Sequence, residues 1–528
     1  MKTIDPSNST FEKLITSNNV YVDKTKYFYK LLSSNNTYYF LSRPRRFGKS
    51  LTLSTLEAIF RAKRELFKGL YIDSTDYDWK EYPVIHIDFS CIAYINTENL
   101  RRQIKNALFK IAEQYNLEIP KDYEYNEILG KLIEQLAAKD KVVILIDEYD
   151  NPLSGNVNNP NIEEIRAVLR GFYSVLKAAS DNIRFCFITG ITKFSKMSIF
   201  SAMNNLTEIS LDEEYATMFG YTQQELEDNF AEYIEKGMKT RGETKETYLA
   251  LIKKWYNGYR FSPKGETVYN PVSIGSFFRE GGEAFRNYWI NTGGSLLLTE
   301  IAKRVHFDIS TDTEITVPQD TLQAVDIIQM TKTEVNKDNF LSLLYQSGYL
   351  TIKNARLLGE SYLYTLGYPD EEVRKGLTKI LLPLYLGRAA GDYSGIRVLS
   401  MFYDGLIDKA INTIKAVFAS IPYNEIVFNA ENAWHASFLS MLHLMGANII
   451  GEVTTNIGRI DAVLTTSDDI YIIEFKFNQS ADKAIEQIKE NKYYEPYLDS
   501  NKKIHLLGIN FSTQDKNIVD WKCEDFEI

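Results

Sequence analysis

The sequence predicts an α/β protein with a mostly parallel sheet in its first half, a helical middle and a second α/β unit at its end. Three observations carry this. Up to residue 215, short runs that are apolar nearly throughout alternate with amphipathic segments, as strands covered on both faces alternate with helices. Beyond residue 216 the apolar spacing becomes helical, and strand-like runs return after residue 425. A chain of 528 residues also exceeds one ordinary core, so several domains are expected.

The strand-like runs of the first domain (1–215) are TYYFLS (37–42), PVIHIDFS (83–90), KVVILIDEY (141–149), IRFCFITG (183–190) and LTEISL (206–211). Between them, LTLSTLEAIFRA (51–62), ENLRRQIKNALFKIAEQY (98–115) and IEEIRAVLRGFYSVLKAAS (162–180) repeat apolar residues every three or four positions, the spacing of one helix face. YTQQELEDNFAEYIEKGMK, ETYLALIKKWYNGY and PVSIGSFFREG predict a helical lid region over 216–330. NKDNFLSLLYQSGYLTI (336–352) and ESYLYTLGYPDEEVRKGLTKILLPLYL then give helix, strand, turn, strand, helix. That order predicts a winged-helix-like module over 331–400, and the sequence leaves open whether it binds DNA or only packs. Residues 401–424 read as a helical connector. In 425–528, a helix (430–446) precedes strands at 447–455, 458–466 and 469–478, then the helix ADKAIEQIKENKYYEPYL and a fourth strand at 502–512.

Composition narrows the function classes. The net charge of −10 gives no global pull toward phosphate backbones, so any nucleic-acid contact needs a local basic surface. No apolar run is long enough to span a membrane, and MKTIDPSNSTFEKLI lacks the apolar centre of a secretory signal, so neither a membrane nor export is expected. Cys91, Cys186 and Cys523 form no paired motif, which fits a reducing cytoplasm.

SRPRRFGKS (42–50) resembles a phosphate-gripping loop with Arg43 where its first glycine belongs. Arg46, Phe47, Gly48, Lys49, Ser50 and Leu51 follow an apolar strand and open a helix, so helix N-terminal amides face the loop. Lys49 can reach β- and γ-phosphates and the Ser50 hydroxyl can ligate Mg²⁺. In KVVILIDEY, Asp147 can hold the magnesium shell and Glu148 can polarise an attacking water. Thr189, closing another strand, is placed for the γ-phosphate side. Arg43, Arg45 and Arg46 add charge; the sequence leaves open which, if any, stabilises the reaction and which face solvent or a neighbouring subunit.

The second constellation is Asp461 on one strand and Glu474 and Lys476 on the next. Side chains two apart on a strand share a face, and Asp461 converges on Glu474 if the strands form a hairpin around TTSDD. Two carboxylates plus a carbonyl make a hard oxygen site for Mg²⁺ or Mn²⁺. Such an ion lowers the pKa of bound water, and Lys476 can orient that water. Glu431 on the preceding helix is a further carboxylate candidate, and Gln487 and Tyr493 lie on the following helix.

The runs YVDKTKYFYKLL, FLSRPRRFGKSLTLSTL, ILIDEYDNPL and FITGITKFSKMSIFSAMNNL resemble the AAA-ATPase-like family, and Asp461, Glu474 and Lys476 match the PD-(D/E)xK nuclease-like domain found at its C-terminus. Ile460 replaces the proline of the strict pattern. The resemblance covers about 11–215 and 425–512. It implies a P-loop NTPase fold, ATP as nucleotide, Arg43 as a family feature, and a nucleotide site of Gly48, Lys49, Ser50, Asp147 and Glu148. Asp23, Lys24 and Thr25 also match a family signature, with no role evident from their chemistry. The expected function is an ATP-binding and hydrolysing protein whose nucleotide state controls a metal-dependent nuclease, with DNA ahead of RNA as partner. The alternative is an ATP-dependent switch whose nuclease-like domain recognises without cutting. A homo-oligomer stays open, because ring-forming relatives take an arginine from a neighbour.

Overall fold

The computed structural model describes residues 2–92, 96–157, 159–194, 206–291, 298, 301, 315–323, 325, 336–377, 394–419, 438–439, 442 and 447–526. They fall into two compact units, 1–305 with 313–374 and 306–312 with 375–528.

In the first unit, Tyr38–Ser42 (β1), Val84–Asp88 (β2), Val142–Asp147 (β3), Ile183–Gly190 (β4) and Thr207–Glu208 (β5) form a five-stranded sheet ordered β2-β3-β4-β1-β5. Every pairing in it is parallel. All six residues of β3 are buried, as the continuous apolar run requires. The amphipathic helices Thr97–Gln114 and Ile162–Ala178 form where the spacing predicts them. A helix not read from the sequence, Tyr125–Ala137, opens on a capping box between Glu124 and Glu127 and buries Ile128, Leu129, Leu132, Ile133 and Leu136. The register sets Leu41 beside Thr189 and Asp88 beside Asp147. The strands therefore end together, and the loops that follow them meet at one sheet edge.

The helices Gln223–Asn229, Ala231–Arg241, Lys245–Tyr256 and Pro271–Arg279 share a core built on Leu226, Phe230, Ile234, Tyr248, Ile252 and Phe277. Asn257–Tyr259 (β6) pairs with Val268–Tyr269 (β7). Ile315–Pro318 (β8), Thr351–Leu358 (β9) and Ser361–Gly367 (β10) make an antiparallel sheet ordered β8-β10-β9, and the helix Lys337–Gln346 precedes β9 in the chain.

The second unit holds Asn448–Thr454 (β11), Arg459–Thr465 (β12), Asp469–Phe477 (β13), Lys503–Ser512 (β14) and Asn517–Phe526 (β15) in that spatial order. The β13–β14 pairing is parallel, bridged by the helix Ala481–Glu490, and the others are antiparallel. Two findings extend the sequence expectation here. β15 is a fifth strand; its run NIVDWKCEDF is charged and only partly buried, as an edge strand tolerates, so it lacks the apolar signature of the other four. The helices Ser394–Tyr403, which begins inside the expected winged-helix-like module, and Ile407–Ala419, in the expected connector, place Val398, Phe402, Ile411, Ile414 and Phe418 in the same core as Leu464, Ile473 and Phe511. Of the expected helix 430–446, residues 438, 439 and 442 are described and helical.

Candidate functional site

The phosphate loop is held by its own side chains. Gly48 caps the helix Lys49–Phe60 from the left-handed region at φ 94°, a conformation that costs a glycine little. Where the first glycine would sit, Arg43 is buried. Its Nη1 donates to the carbonyls of Ser42 (2.9 Å) and Ser210 (2.6 Å), and its guanidinium lies 4.2 Å from the Phe261 ring centre. Burial lowers its pKa to about 10. Arg43 thus shapes the turn by side-chain contacts where a glycine would do so by backbone freedom. Phe47 is also buried, edge-on to Tyr259 and Phe261.

Lys49 is buried and donates from Nζ to the Arg43 and Pro44 carbonyls at 3.0 Å each. Burial pulls its pKa down, and Asp147 and Glu148 pull it back up. Asp147 collects the remaining donors: Ser50 Oγ on Oδ2 at 2.5 Å, Thr189 Oγ1 on Oδ1 at 2.6 Å and the Glu148 amide at 3.0 Å. Ser50, Asp147 and Thr189, predicted from three separate segments, are therefore one hydrogen-bonded group. Glu148 follows in the left-handed region at φ 48°; burial raises its pKa and Lys49 opposes the rise. The loop residues Arg46 to Leu51, together with Arg45 and Glu148, line a cleft of about 490 Å³, which Lys24 and Met218–Tyr221 also border. That volume lies in the range of small-ligand and cofactor sites. The hydroxyl of Ser50 beside the Asp147 carboxylate is the hard-oxygen pair that Mg²⁺ takes, so these residues fit that ion.

Two contributors escaped the sequence reading. Asp150 is buried and accepts from the amides of Ile191 (3.2 Å) and Thr192 (2.8 Å), fixing the chain just after Thr189; burial raises its pKa. Its place after an Asp-Glu strand end was the available signal. The signature Asp23-Lys24-Thr25 also gains a role. Asp23 accepts from the Thr25 amide and hydroxyl and from the Tyr71 amide. Buried Lys24 donates to the Thr217 carbonyl (2.7 Å) and both Glu225 oxygens (2.7 and 2.6 Å), tying this segment to the helix Gln223–Asn229.

In the second unit, extending the β12–β13 register from Ala462↔Ile473 sets Asp461 opposite Glu474, so both carboxylates lie on one sheet face, with Lys476. Asp461 Oδ2 accepts from the Phe475 amide at 2.8 Å. Glu474 is buried; its Oε1 accepts from Gln487 Nε2 and lies 3.5 Å from Lys476 Nζ, while Lys476 donates to Gln487 Oε1. Gln487 thus bridges the acid and the base. Burial, then the neighbouring Asp461, lifts the Glu474 pKa to about 8. Its Oε2 is buried with no hydrogen-bond partner among the described residues. A buried carboxylate oxygen without a donor, beside a second carboxylate, is a demand that a divalent cation meets, so Asp461 and Glu474 fit Mg²⁺ or Mn²⁺. Among the described residues, no group of three or more His, Cys, Asp or Glu is arranged to hold a metal ion. Glu431 lies outside them. Tyr493 is buried in the apolar core and accepts from Asn491.

Comparison with known proteins agrees with this layout. Residues 7–200 match a family described as "Predicted AAA-ATPase", and residues 429–521 match the PD-(D/E)XK nuclease superfamily. A protein of Azotobacter chroococcum mcd 1, described as "Uncharacterized protein in vnfD 5'region", is 34% identical over 531 residues, covering 98% of this chain and 97% of its own. No helix among the described residues is long and apolar enough to cross a membrane. With the five-stranded parallel sheet carrying the loop and a C-terminal sheet carrying the carboxylates, the chain belongs to the AAA-ATPase-like family that ends in a PD-(D/E)xK nuclease-like domain.

Proposed function

We propose that the chain binds and hydrolyses ATP at the Lys49 loop, and that nucleotide state governs a divalent-metal-dependent phosphodiesterase at Asp461, Glu474 and Lys476, with DNA as substrate. The observation that carries this reading is two chemically distinct constellations on one chain, each with one buried carboxylate (Asp147, Glu474), one half-buried carboxylate (Glu148, Asp461) and a lysine beside them.

At the first site, Ser50 and Asp147 would hold Mg²⁺, which would neutralise phosphate charge. Lys49 exchanges its loop carbonyls for phosphate oxygens, Thr189 fixes Asp147, and Glu148 accepts a proton from the attacking water. ATP is favoured over GTP by the family, and no NKxD run follows Gly190. The helices of 216–330 act as a lid and 331–400 as a winged-helix-like module. At the second site, Asp461 and Glu474 would hold Mg²⁺ or Mn²⁺, which would supply Lewis acidity for activating a water. Lys476 stabilises charge on the scissile phosphate, and Gln487 fixes Lys476 and Glu474 against each other.

Incubating the purified chain with plasmid or linear DNA, ATP and Mg²⁺ or Mn²⁺ tests this. Cleavage should need Lys476 and change with ATP; cleavage that survives Lys476→Ala places the activity elsewhere. A second reading, a switch that binds nucleic acid or protein without cutting, is favoured by the net charge of −10. Tight ATP binding with no metal-dependent cleavage under any nucleotide state would establish it.

A further inference from the structure

Three arginines stand in the phosphate loop, and their surroundings sort them. Arg43 gives only Nη1 to the Ser42 and Ser210 carbonyls and packs on the Phe261 ring, its Nε and Nη2 being buried with no hydrogen-bond partner among the described residues; unlike Arg45 and Arg46, it does not line the Lys49 cleft. The loop around it is anchored at each step. The Pro44 carbonyl accepts from Lys49, and a Cβ on Gly348 would fall 2.7 Å from Pro44 Cβ, so the loop's outer side is packed. The Arg45 carbonyl accepts from Trp289 Nε1 at 3.0 Å. Trp289 in turn donates its amide to Glu372 at 2.5 Å. Phe47 is buried against Tyr259 and Phe261. Between these anchors, the side chains of Arg45 and Arg46 are exposed and line the cleft with Lys49, Ser50 and Glu148. Arg46 sits one residue on, in the left-handed region at φ 66°.

We infer that Arg45 is a catalytic arginine supplied in cis, contacting the γ-phosphate during hydrolysis. This rests on the reading that the loop hydrolyses ATP. In that reaction the water oxygen bonds to the γ-phosphorus as its bond to the ADP oxygen breaks. The water proton passes to Glu148, and negative charge grows on the departing β-phosphate oxygen. Lys49 is held from beneath by the loop carbonyls; Arg45, on the exposed rim with its backbone fixed by Trp289, brings a second cation from the open side. The anchored Arg45 carbonyl limits where the guanidinium can reach, which lowers the entropic cost of bringing it to the phosphate. No neighbouring chain is needed to complete the charge balance.

The test uses the full chain and two measurements, equilibrium ATP binding and steady-state turnover over a wide range of protein concentration. Arg45→Ala should lower kcat about 10³-fold, the scale of a lost arginine finger, while ATP affinity changes little. Arg45→Lys should recover part of the loss. Wild-type specific activity should be independent of protein concentration. Wild-type turnover with an equally active Arg45→Ala overturns the assignment alone. So does activity that rises with concentration and returns when Arg45→Ala is mixed with Lys49→Ala, since that identifies a neighbour's arginine. A wild-type chain that binds ATP without turnover overturns the hydrolysis reading, and this assignment with it.

Discussion

Replacing Lys24 with methionine should loosen the border of the nucleotide cleft. Lys24 makes three donations, to Thr217 and both Glu225 oxygens, and its side chain is 10% exposed against 20% for Glu225. Burial lowers the Lys24 pKa and Glu225 raises it, so the pair holds the ammonium charged where it would otherwise be disfavoured. Breaking a buried ion pair by removing one partner costs about 3–5 kcal/mol. Because Glu225 keeps some solvent and its bond from the Thr222 amide, the lower end applies, about 3 kcal/mol. Hydrogen exchange at the amides of Gln223–Asn229 reads this locally, which matters in a chain whose units need not unfold together. Glu225→Gln, which keeps the capping box with Thr222, completes a double-mutant cycle; the double variant should lose less than the sum of the singles. ATP affinity should weaken as well, since Lys24 and Met218–Tyr221 border the cleft. A Lys24→Met change of under about 1 kcal/mol, as for a surface pair, or an additive double variant, refutes the argument.

Glu148→Gln should retain ATP binding while lowering turnover by about 10²–10⁴-fold, the range of a lost general base, as read by phosphate release against nucleotide titration. Gln487→Leu removes the bridge between Glu474 and Lys476 and should weaken Mn²⁺ binding about 10–100-fold, measured by calorimetry. Glu372 is buried and accepts from Ser273 Oγ and the Trp289 amide, and burial raises its pKa from 4.5 to about 7. Its folded value lies above the unfolded one, so its contribution is full below pH 4.5 and is lost as pH rises to about 7. Glu372→Gln should therefore lessen that part of the stability profile without abolishing it, because buried Asp370, also raised by burial and by Glu372, titrates beside it; urea unfolding at pH 5 and pH 8 reads the change, and an unchanged profile rules out this linkage.

The strands were legible because burial on both faces leaves an unbroken apolar run, and the loop because Gly48-Lys49-Ser50 had to follow one of them. Strand parity alone set Glu474 and Lys476 on one face, and Asp461 joined them only if the strands paired as a hairpin around TTSDD, as β12 and β13 do. What stayed hidden depends on partners distant in sequence. Lys24 meets Glu225, Arg43 meets Ser210 and Phe261, and Asp150 meets the amides of Ile191 and Thr192. None of these pairs leaves a local spacing. The strand β15 was hidden for the opposite reason, since its charged edge residues mimic a polar tail. The helix Tyr125–Ala137 did carry its signal, a capping box and apolar positions three and four apart.

Both constellations divide labour between two carboxylates in the same physical way. Asp147 and Asp461 each accept a backbone amide from β3's successor or from β13, and Asp147 takes two hydroxyls besides; protein donors fix them in place. Glu148 and Glu474 are instead pushed toward the neutral form by burial. At Glu474 one buried oxygen has no donor among the described residues. At Glu148 the left-handed backbone, costing about 1–2 kcal/mol in a non-glycine residue, re-aims the chain immediately after Asp147. A glycine would relieve that strain and remove the carboxylate. Its retention follows if proton acceptance at that point is worth more than the strain, since losing a positioned general base costs about 10²-fold or more in rate, or at least about 2.7 kcal/mol.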